Sequence, residues 1–250
     1  MLLGLELFER AGFTGALRWL HVLFGIAWIG LLYYFNFVQV PAFAEFTPEA
    51  RNEAIAKLAS RALWWFRWAA LGTAIFGILI TGATEDYYKD FFKRANGVSI
   101  LLGMIIALTM LYNVWMVIWP NQRIVIANAV NVMNGGAPDP NAAGAGRRAF
   151  LASRMNTIFS IPMLWFMVGT AHFYTGDTFG FDLSAGKVVG FLLIALVIWA
   201  VLEANALGLI GGVAVGNPGK QIYETVRTTI ITGFVLWAIY WLLSELFLKA

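Results

Sequence analysis

Long, almost continuously apolar stretches separated by short polar connections dominate the chain. Six of them reach about 20 residues, the length of helix that crosses the hydrocarbon core of a bilayer. They cover approximately residues 15–40, 61–82, 98–120, 154–174, 188–210 and 228–248. Their apolar positions are continuous rather than alternating, which favours helices over the strands of a membrane barrel. The pattern predicts an all-α, polytopic integral membrane helix bundle of about six transmembrane helices.

The rest of the chain consists of connections and one short amphipathic stretch. Residues 1–13 are too short to cross a bilayer and carry charged side chains, so they are predicted to be an interfacial segment. Residues 121–146 form the longest connection, predicted to be a cytoplasmic loop because of its glycines and prolines. Pro120 is expected to end the third span, since its ring interrupts the helical hydrogen-bond ladder. Residues 1–250 are therefore predicted to form a single transmembrane domain.

Composition agrees with this pattern and excludes several classes of protein. Hydrophobic residues make up 60% of the chain, charged residues 12%, and the mean hydropathy is +0.73. These values exclude an ordinary soluble domain, in which about a quarter of the residues are charged, and also a disordered chain. The sequence has no cysteine, which excludes thiolate metal sites and covalently attached c-type haem within these residues. The net charge of +3 is not gathered into a basic run, so no nucleic-acid partner is expected.

The distribution of lysine and arginine predicts the orientation in the membrane. Ten basic residues fall on the side reached after the first, third and fifth spans, and seven fall on the opposite side. Cytoplasmic loops carry the excess of basic residues, so the side with ten is predicted to be cytoplasmic. We therefore expect a multi-pass protein of the bacterial inner membrane, embedded in the lipid bilayer, with both termini in the periplasm.

The chain has two histidines, and both are predicted to lie near the same membrane face. His21 falls about six residues into the first predicted span, and His172 falls two residues before the end of the fourth. Four crossings separate these positions, so they share a face whichever way the protein is oriented. Two neutral imidazoles at one depth are suited to bind the iron of a b-type haem from opposite sides. The alternative interpretation is that each histidine is an interfacial residue bonded to water or a headgroup.

A second group of candidate residues maps to the opposite half of the predicted spans. It consists of Asn36, Asn113, Arg154, Asn156, Glu203 and Asn205. A carboxylate within a span costs about 2.5–3.5 kcal/mol on insertion scales, so Glu203 needs a partner, and Arg154 is the expected one. These groups predict a pocket for a small planar or anionic ligand, walled by Trp64, Trp65 and Trp115. The alternatives are hydrogen bonding between helices for the amides and an aromatic belt for the tryptophans.

Several segments together resemble a known family. They are residues 21–30 (HVLFGIAWIG), 113–122 (NVWMVIWPNQ), 153–156 (SRMN) and 160–163 (SIPM), followed by His172. They are similar to the membrane domain of bacterial membrane-bound urate oxidases, also called urate hydroxylases, over about residues 18–172. The resemblance implies a membrane oxidoreductase acting on urate. Members of this family typically carry a C-terminal cytochrome c domain, which the 250 residues are expected to lack, so a separate cytochrome c is the expected electron acceptor.

The residues and the resemblance together give one leading functional hypothesis. It is a haem b-containing membrane oxidoreductase that takes electrons from a purine-like substrate toward an external cytochrome c. His21 and His172 are the predicted ligands of the haem iron. The predicted substrate-binding residues are Asn113, Arg154, Asn156 and Glu203, because arginine offers a planar fork of donors and asparagine offers both a donor and an acceptor. The alternative is a non-catalytic electron-transfer or scaffolding subunit of a larger respiratory or photosynthetic complex.

Overall fold

Helices form almost all of the chain in the computed structural model, which describes residues 9–84, 90–175 and 178–249. In this part of the chain there are seven α-helices and no strand, with one isolated bridge between Phe179 and Lys249. The helices are α1 (Arg10–Glu45), α2 (Pro48–Ala83), α3 (Ala95–Met133), α4 (Ala142–His172), α5 (Ala185–Ala206), α6 (Gln221–Glu224) and α7 (Val226–Phe247). The predicted all-α membrane helix bundle is confirmed.

Five of these helices are long and apolar enough to cross a membrane by length and composition. They are α1, α2, α3, α5 and α7. The remaining long helix, α4, has 31 residues and corresponds to the fourth predicted span. Fifteen of its residues are buried, against five of the 22 in α5. Because α4 packs mainly against other helices rather than lipid, it carries more polar side chains than its neighbours.

Contacts between helix ends show that successive long helices run in opposite directions. Arg10 Nε donates to the carbonyl of Ala83, which joins the start of α1 to the end of α2 at 3.2 Å. Backbone bonds from Ala95 to Gly180 and from Gly180 to Leu248 bring the start of α3 and the end of α7 to the same place. We call this the α2–α3 end of the bundle. The opposite, α1–α2 end holds the turns between α1 and α2 and between α3 and α4.

Three helices contain a π-helical segment toward the α1–α2 end. These segments are Tyr34–Gln39 in α1, Ile55–Ala59 in α2 and Asn113–Ile118 in α3. A π segment replaces i→i+4 hydrogen bonds by i→i+5 bonds and so changes the direction of the side chains around it. Such segments occur frequently at functional sites, which draws attention to this end of the bundle.

The structure differs from the sequence prediction around residues 121–146. Helix α3 continues through Pro120 to Met133, so the connection to α4 is limited to residues 134–141. The π segment ends two residues before Pro120, where the hydrogen-bond pattern is already altered, and the ring is accommodated there. Residues 10–13 of the predicted interfacial segment belong to α1, and residues 1–8 lie outside the described residues.

Candidate functional site

His21 is held against the neighbouring helix by one hydrogen bond. Its Nδ1 atom lies 2.8 Å from the carbonyl oxygen of Thr73 in α2. A carbonyl only accepts hydrogen bonds, so Nδ1 carries the proton. In the neutral imidazole the Nε2 atom is then left with a free lone pair. This is the arrangement found in metal-binding histidines, whose second nitrogen donates to a carbonyl or a carboxylate.

A glycine in α2 makes the space for this imidazole ring. A Cβ atom added to Gly77 would lie 3.1 Å from His21 Cε1 and 3.2 Å from Nδ1. Those distances are tighter than most real Cβ contacts, so the ring keeps its position because residue 77 has no side chain. The sequence prediction did not single out Gly77, since its role depends on how α1 and α2 pack.

His172 lies at the last turn of α4 and is exposed. No hydrogen bond to its ring is found among the described residues. Two residues later, the Tyr174 hydroxyl accepts from Trp165 Nε1 and bonds Ser244, each at 3.0 Å, and this fixes the end of the helix. His172 is therefore an exposed imidazole without a hydrogen-bond partner among the described residues, on a well-anchored helix end.

The register between α1 and α4 places the two histidines at one depth. The Tyr33 hydroxyl bonds Ser160 at 2.9 Å, and Asn36 Nδ2 donates to Ser153 at 2.8 Å. These contacts show that the helices are antiparallel. His21 lies twelve residues before Tyr33, and His172 lies twelve residues after Ser160. Each histidine is thus about 18 Å from the Tyr33–Ser160 contact, toward the α2–α3 end.

Three of the four predicted substrate-binding residues form one buried network. Asn113 Nδ2 donates to Asn156 Oδ1 at 2.9 Å and to Glu203 Oε2 at 3.3 Å. Asn156 Nδ2 in turn donates to the carbonyl of Met110 at 3.0 Å. The network joins α3, α4 and α5. Asn113 Oδ1 and Glu203 Oε1 have no hydrogen-bond partner among the described residues, so two acceptors remain available within it.

Arg154 is not the partner of Glu203, contrary to the sequence prediction. Its side chain is buried, 2% exposed, and its guanidinium carbon lies 5.1 Å from the centre of the Phe150 ring. Its Nε and Nη1 atoms have no partner in the described part of the chain. Adjacent residues of a helix are about 100° apart, so Arg154 points about 200° away from Asn156 and its network. The structure separates Arg154 from the other three residues.

The tryptophans predicted to wall a pocket fit the alternative interpretation better. Trp64 and Trp65 are 45% and 63% exposed and contact each other at 4.9 Å between ring centres. Trp115 is half-buried and donates from Nε1 to the Arg67 carbonyl at 3.2 Å. Exposed tryptophans clustered at one level of a bundle are typical of the aromatic belt at a membrane interface.

A cavity of about 850 Å³ lies at the α1–α2 end, among the first four helices. Phe35, Asn36 and Gln39 of the first π segment line it, together with Phe150 and Ser153 of α4. None of the four predicted substrate-binding residues lines it. Arg154 contacts one of the lining residues, since its guanidinium carbon lies 5.1 Å from the centre of the Phe150 ring. Of the residues grouped in the sequence analysis, Asn36 lines this cavity; the other walls depend on how the helix ends pack and were not predicted.

The segment between α5 and α7 lies at the α1–α2 end of the bundle and is held there by contacts of two cationic side chains, Arg147 and Lys220. Arg147 forms a bidentate ion pair with Glu224, at 3.0 and 2.6 Å, and also donates to the Val213 carbonyl. Lys220 is fully buried, and its Nζ donates to the carbonyls of Asn205 and Ile210. Burial and then the nearby Arg147 charge lower the pKa of Lys220.

Through its bonds to these two carbonyls, Lys220 places its ammonium group at the C-terminal end of α5, where the helix dipole favours a positive charge. Sequence reasoning counted Lys220 only toward the charge of a loop. Its carbonyl partners were not predictable, because every residue has a carbonyl and only the folded segment selects two of them.

A comparison with protein families gives a match over more than half of the chain. The family model described as Urate oxidase N-terminal matches residues 67–204, from the middle of α2 to the last turn of α5. This range contains His172 and the Asn113–Asn156–Glu203 network, but not His21. No curated protein and no solved structure matches the chain.

Proposed function

Since this chain belongs to the urate oxidase N-terminal family, we propose that it is a haem b-containing membrane oxidoreductase. In this proposal it takes electrons from a purine-like substrate and delivers them to an external cytochrome c. Hydroxylation of a purine by water releases two electrons and two protons, so two molecules of a one-electron cytochrome c are reduced for each purine. The family and the multi-pass architecture support an oxidoreductase-like membrane protein; the haem, the substrate and the acceptor are the proposed part.

The observation that carries the proposal is the state of the two imidazoles. His21 donates its Nδ1–H to the Thr73 carbonyl, its Nε2 has no partner among the described residues, and Gly77 leaves room for the ring. The His172 ring lies at the same depth on the antiparallel helix α4 and has no partner in the described part of the chain. Two such imidazole nitrogens are suited to hold the iron of a b-type haem, which would supply a one-electron carrier when bound. The iron ligands we propose are therefore His21 and His172.

The substrate side of the proposal rests on unpartnered polar atoms in the other half of the bundle. Among the described residues, Arg154 Nε and Nη1 have no hydrogen-bond partner, and neither do Asn113 Oδ1 and Glu203 Oε1. We propose that Arg154 favours an anionic purine electrostatically, and that the Asn113–Asn156–Glu203 network, on another side of α4, holds α3, α4 and α5 together. In the orientation proposed from the basic residues, this half faces the cytoplasm and the histidines face the periplasm.

The haem assignment is tested by spectroscopy of purified protein. We expect a pyridine haemochrome of haem b and a low-spin bis-imidazole spectrum in the wild type. His21→Ala and His172→Ala should each either give a five-coordinate high-spin haem or abolish haem binding. Trp19→Ala should keep the wild-type spectrum, because Trp19 is an exposed residue of α1, the helix that carries His21. Absence of haem from undamaged wild type, or unchanged spectra in both histidine variants, would refute the assignment.

The activity is tested separately by urate-dependent reduction of cytochrome c. The proposal expects two cytochromes reduced per urate consumed, and loss of this reduction in both histidine variants. A wild type that contains haem but turns over no purine, and that co-purifies with other membrane subunits, would instead identify a non-catalytic electron-transfer subunit. The haem assignment would survive that result, and the enzyme proposal would not.

A further inference from the structure

The cavity at the α1–α2 end is built where three helices depart from regular α-helical geometry. The π segment of α1 contributes Asn36 and Gln39 to its wall, that of α2 contributes Ile55 and Ala59, and that of α3 contributes Ile118. Such segments occur frequently at functional sites, so three of them at one cavity favour a functional role for this place in the bundle.

The lining has a specific chemistry. Five carboxamides line the cavity: Asn36, Gln39, Asn52, Gln122 and Asn128. Five phenylalanines line it as well: Phe35, Phe43, Phe46, Phe66 and Phe150. Carboxamides supply both donors and acceptors, and phenyl rings supply flat apolar faces. The volume of about 850 Å³ lies within the usual range for small-molecule sites. These walls suit a flat heterocycle that carries hydrogen-bonding groups at its edge.

Two of the carboxamides offer acceptor oxygens in particular. Gln39 Oε1 is buried and has no hydrogen-bond partner among the described residues. Asn36 uses its amide group for two bonds, to the carbonyl of Leu32 at 2.9 Å and to Ser153 Oγ at 2.8 Å. Its orientation is therefore fixed, and only its oxygen remains for a ligand. A pair of acceptors three residues apart on one helix is suited to ring N–H groups.

The charges around the cavity favour an anion. Arg147 and Glu224 both line it but neutralise each other in their ion pair. Arg51 also lines it, without a carboxylate partner among the described residues. Arg154 adds a further positive charge next to a lining residue, with its guanidinium carbon 5.1 Å from the centre of the Phe150 ring. The net charge at the walls is therefore positive.

From these observations we infer that this cavity is the chamber that holds the substrate. Within it, Gln39 and Asn36 accept hydrogen bonds from the ring N–H groups of the purine anion. The inference rests on the proposed function for the class of substrate. It adds the location of the substrate and two specificity-determining residues, neither of which is among the four predicted from the sequence.

Equilibrium binding of radiolabelled urate to the purified, haem-loaded protein tests the chamber directly. Gln39→Leu removes the acceptor oxygen. It should weaken urate binding about tenfold or more, because a ring N–H of the bound ligand would be left without its acceptor. Gln221→Leu is the matched control, because Gln221 is exposed at the start of α6, away from the cavity lining. The haem spectrum of both variants should match that of the wild type.

Methylated ligands give a second measurement that needs no stable variant. If the two acceptor oxygens bind ring N–H groups, urates methylated at single ring nitrogens should bind the wild type about tenfold more weakly at one or more positions. In Gln39→Leu the penalty at the nitrogen that faces Gln39 should disappear. A merely structural role for Gln39 would weaken all ligands equally.

The outcomes separate the two proposals. If the wild type binds urate while Gln39→Leu and the methylated urates bind with unchanged affinity, the chamber is wrong and the proposed function stands. If the haem-loaded wild type binds no purine, the proposed substrate is wrong, and the chamber inference falls with it.

Discussion

The buried network around Asn156 should contribute measurably to stability. Asn156 accepts from Asn113 at 2.9 Å and donates to the Met110 carbonyl at 3.0 Å, and both asparagines are fully buried. Asn156→Ala removes both bonds and leaves Asn113 Nδ2 with only the 3.3 Å bond to Glu203. Hydrogen bonds between membrane helices are worth about 0.6 kcal/mol on average and up to about 1.7. Two bonds therefore predict a loss of about 1–3 kcal/mol.

The loss is measured by unfolding detergent-solubilised protein with increasing fractions of SDS, followed by tryptophan fluorescence. Asn134→Ala is the control, because Asn134 is exposed in the connection after α3, and a change within about 0.5 kcal/mol is expected there. A double-mutant cycle with Asn113→Ala isolates the Asn113–Asn156 pair. The expected coupling energy is about 0.6–1.7 kcal/mol.

This reasoning is refuted by one combination of results. If Asn156→Ala unfolds at the same SDS fraction as the Asn134→Ala control, and the coupling energy is zero, the network does not hold α3 against α4. The polar residues then have no structural role that explains their burial. A destabilised Asn156→Ala with zero coupling would assign the stability to the Met110 carbonyl bond instead.

Three further substitutions test other parts of the structure. Gly77→Ala should displace the His21 ring by a few tenths of an ångström and lower the haem content, whereas Gly82→Ala, which meets no atom within 4 Å, should not. Lys220→Met should remove the ammonium group that donates to the carbonyls of Asn205 and Ile210, cost about 1–3 kcal/mol and speed proteolysis between residues 207 and 217. Glu224→Gln should cost about 1 kcal/mol, and the difference from the wild type in thermal unfolding should shrink in high salt, because the ion pair is partly exposed.

The sequence predicted the spans well where lipid dictates composition. Helices α1, α2, α3, α5 and α7 face the membrane, so their apolar runs are long and visible. The same rule failed beyond the membrane level, where α1, α2 and α3 continue as helices with polar residues. Pro120 also misled the prediction, because a proline is a helix end only when the preceding turn is regular. The π segment before Pro120 has no signature in the local sequence.

The sequence predicts the level of each candidate residue in the membrane, and the candidate site was predictable only as far as this level determines which residues meet. Asn113, Asn156 and Glu203 were grouped because they share a level in the membrane, and they do contact one another. Depth carries no information on direction around a helix, so Arg154 was paired wrongly with Glu203. The Gln39 oxygen lies in an irregular π turn, and its position is set by the packing of the surrounding helices.

Helix α1 contributes to both proposed sites although it lies outside the matched range. It supplies His21 toward the α2–α3 end, and Asn36 and Gln39 toward the α1–α2 end. Helix α4 supplies the complementary residues, and the Tyr33–Ser160 and Asn36–Ser153 bonds set the register between the two helices. A shift of α1 along α4 would therefore change the relative depth of the histidines and the shape of the cavity together. The antiparallel pair of α1 and α4 is thus the element on which both proposals depend.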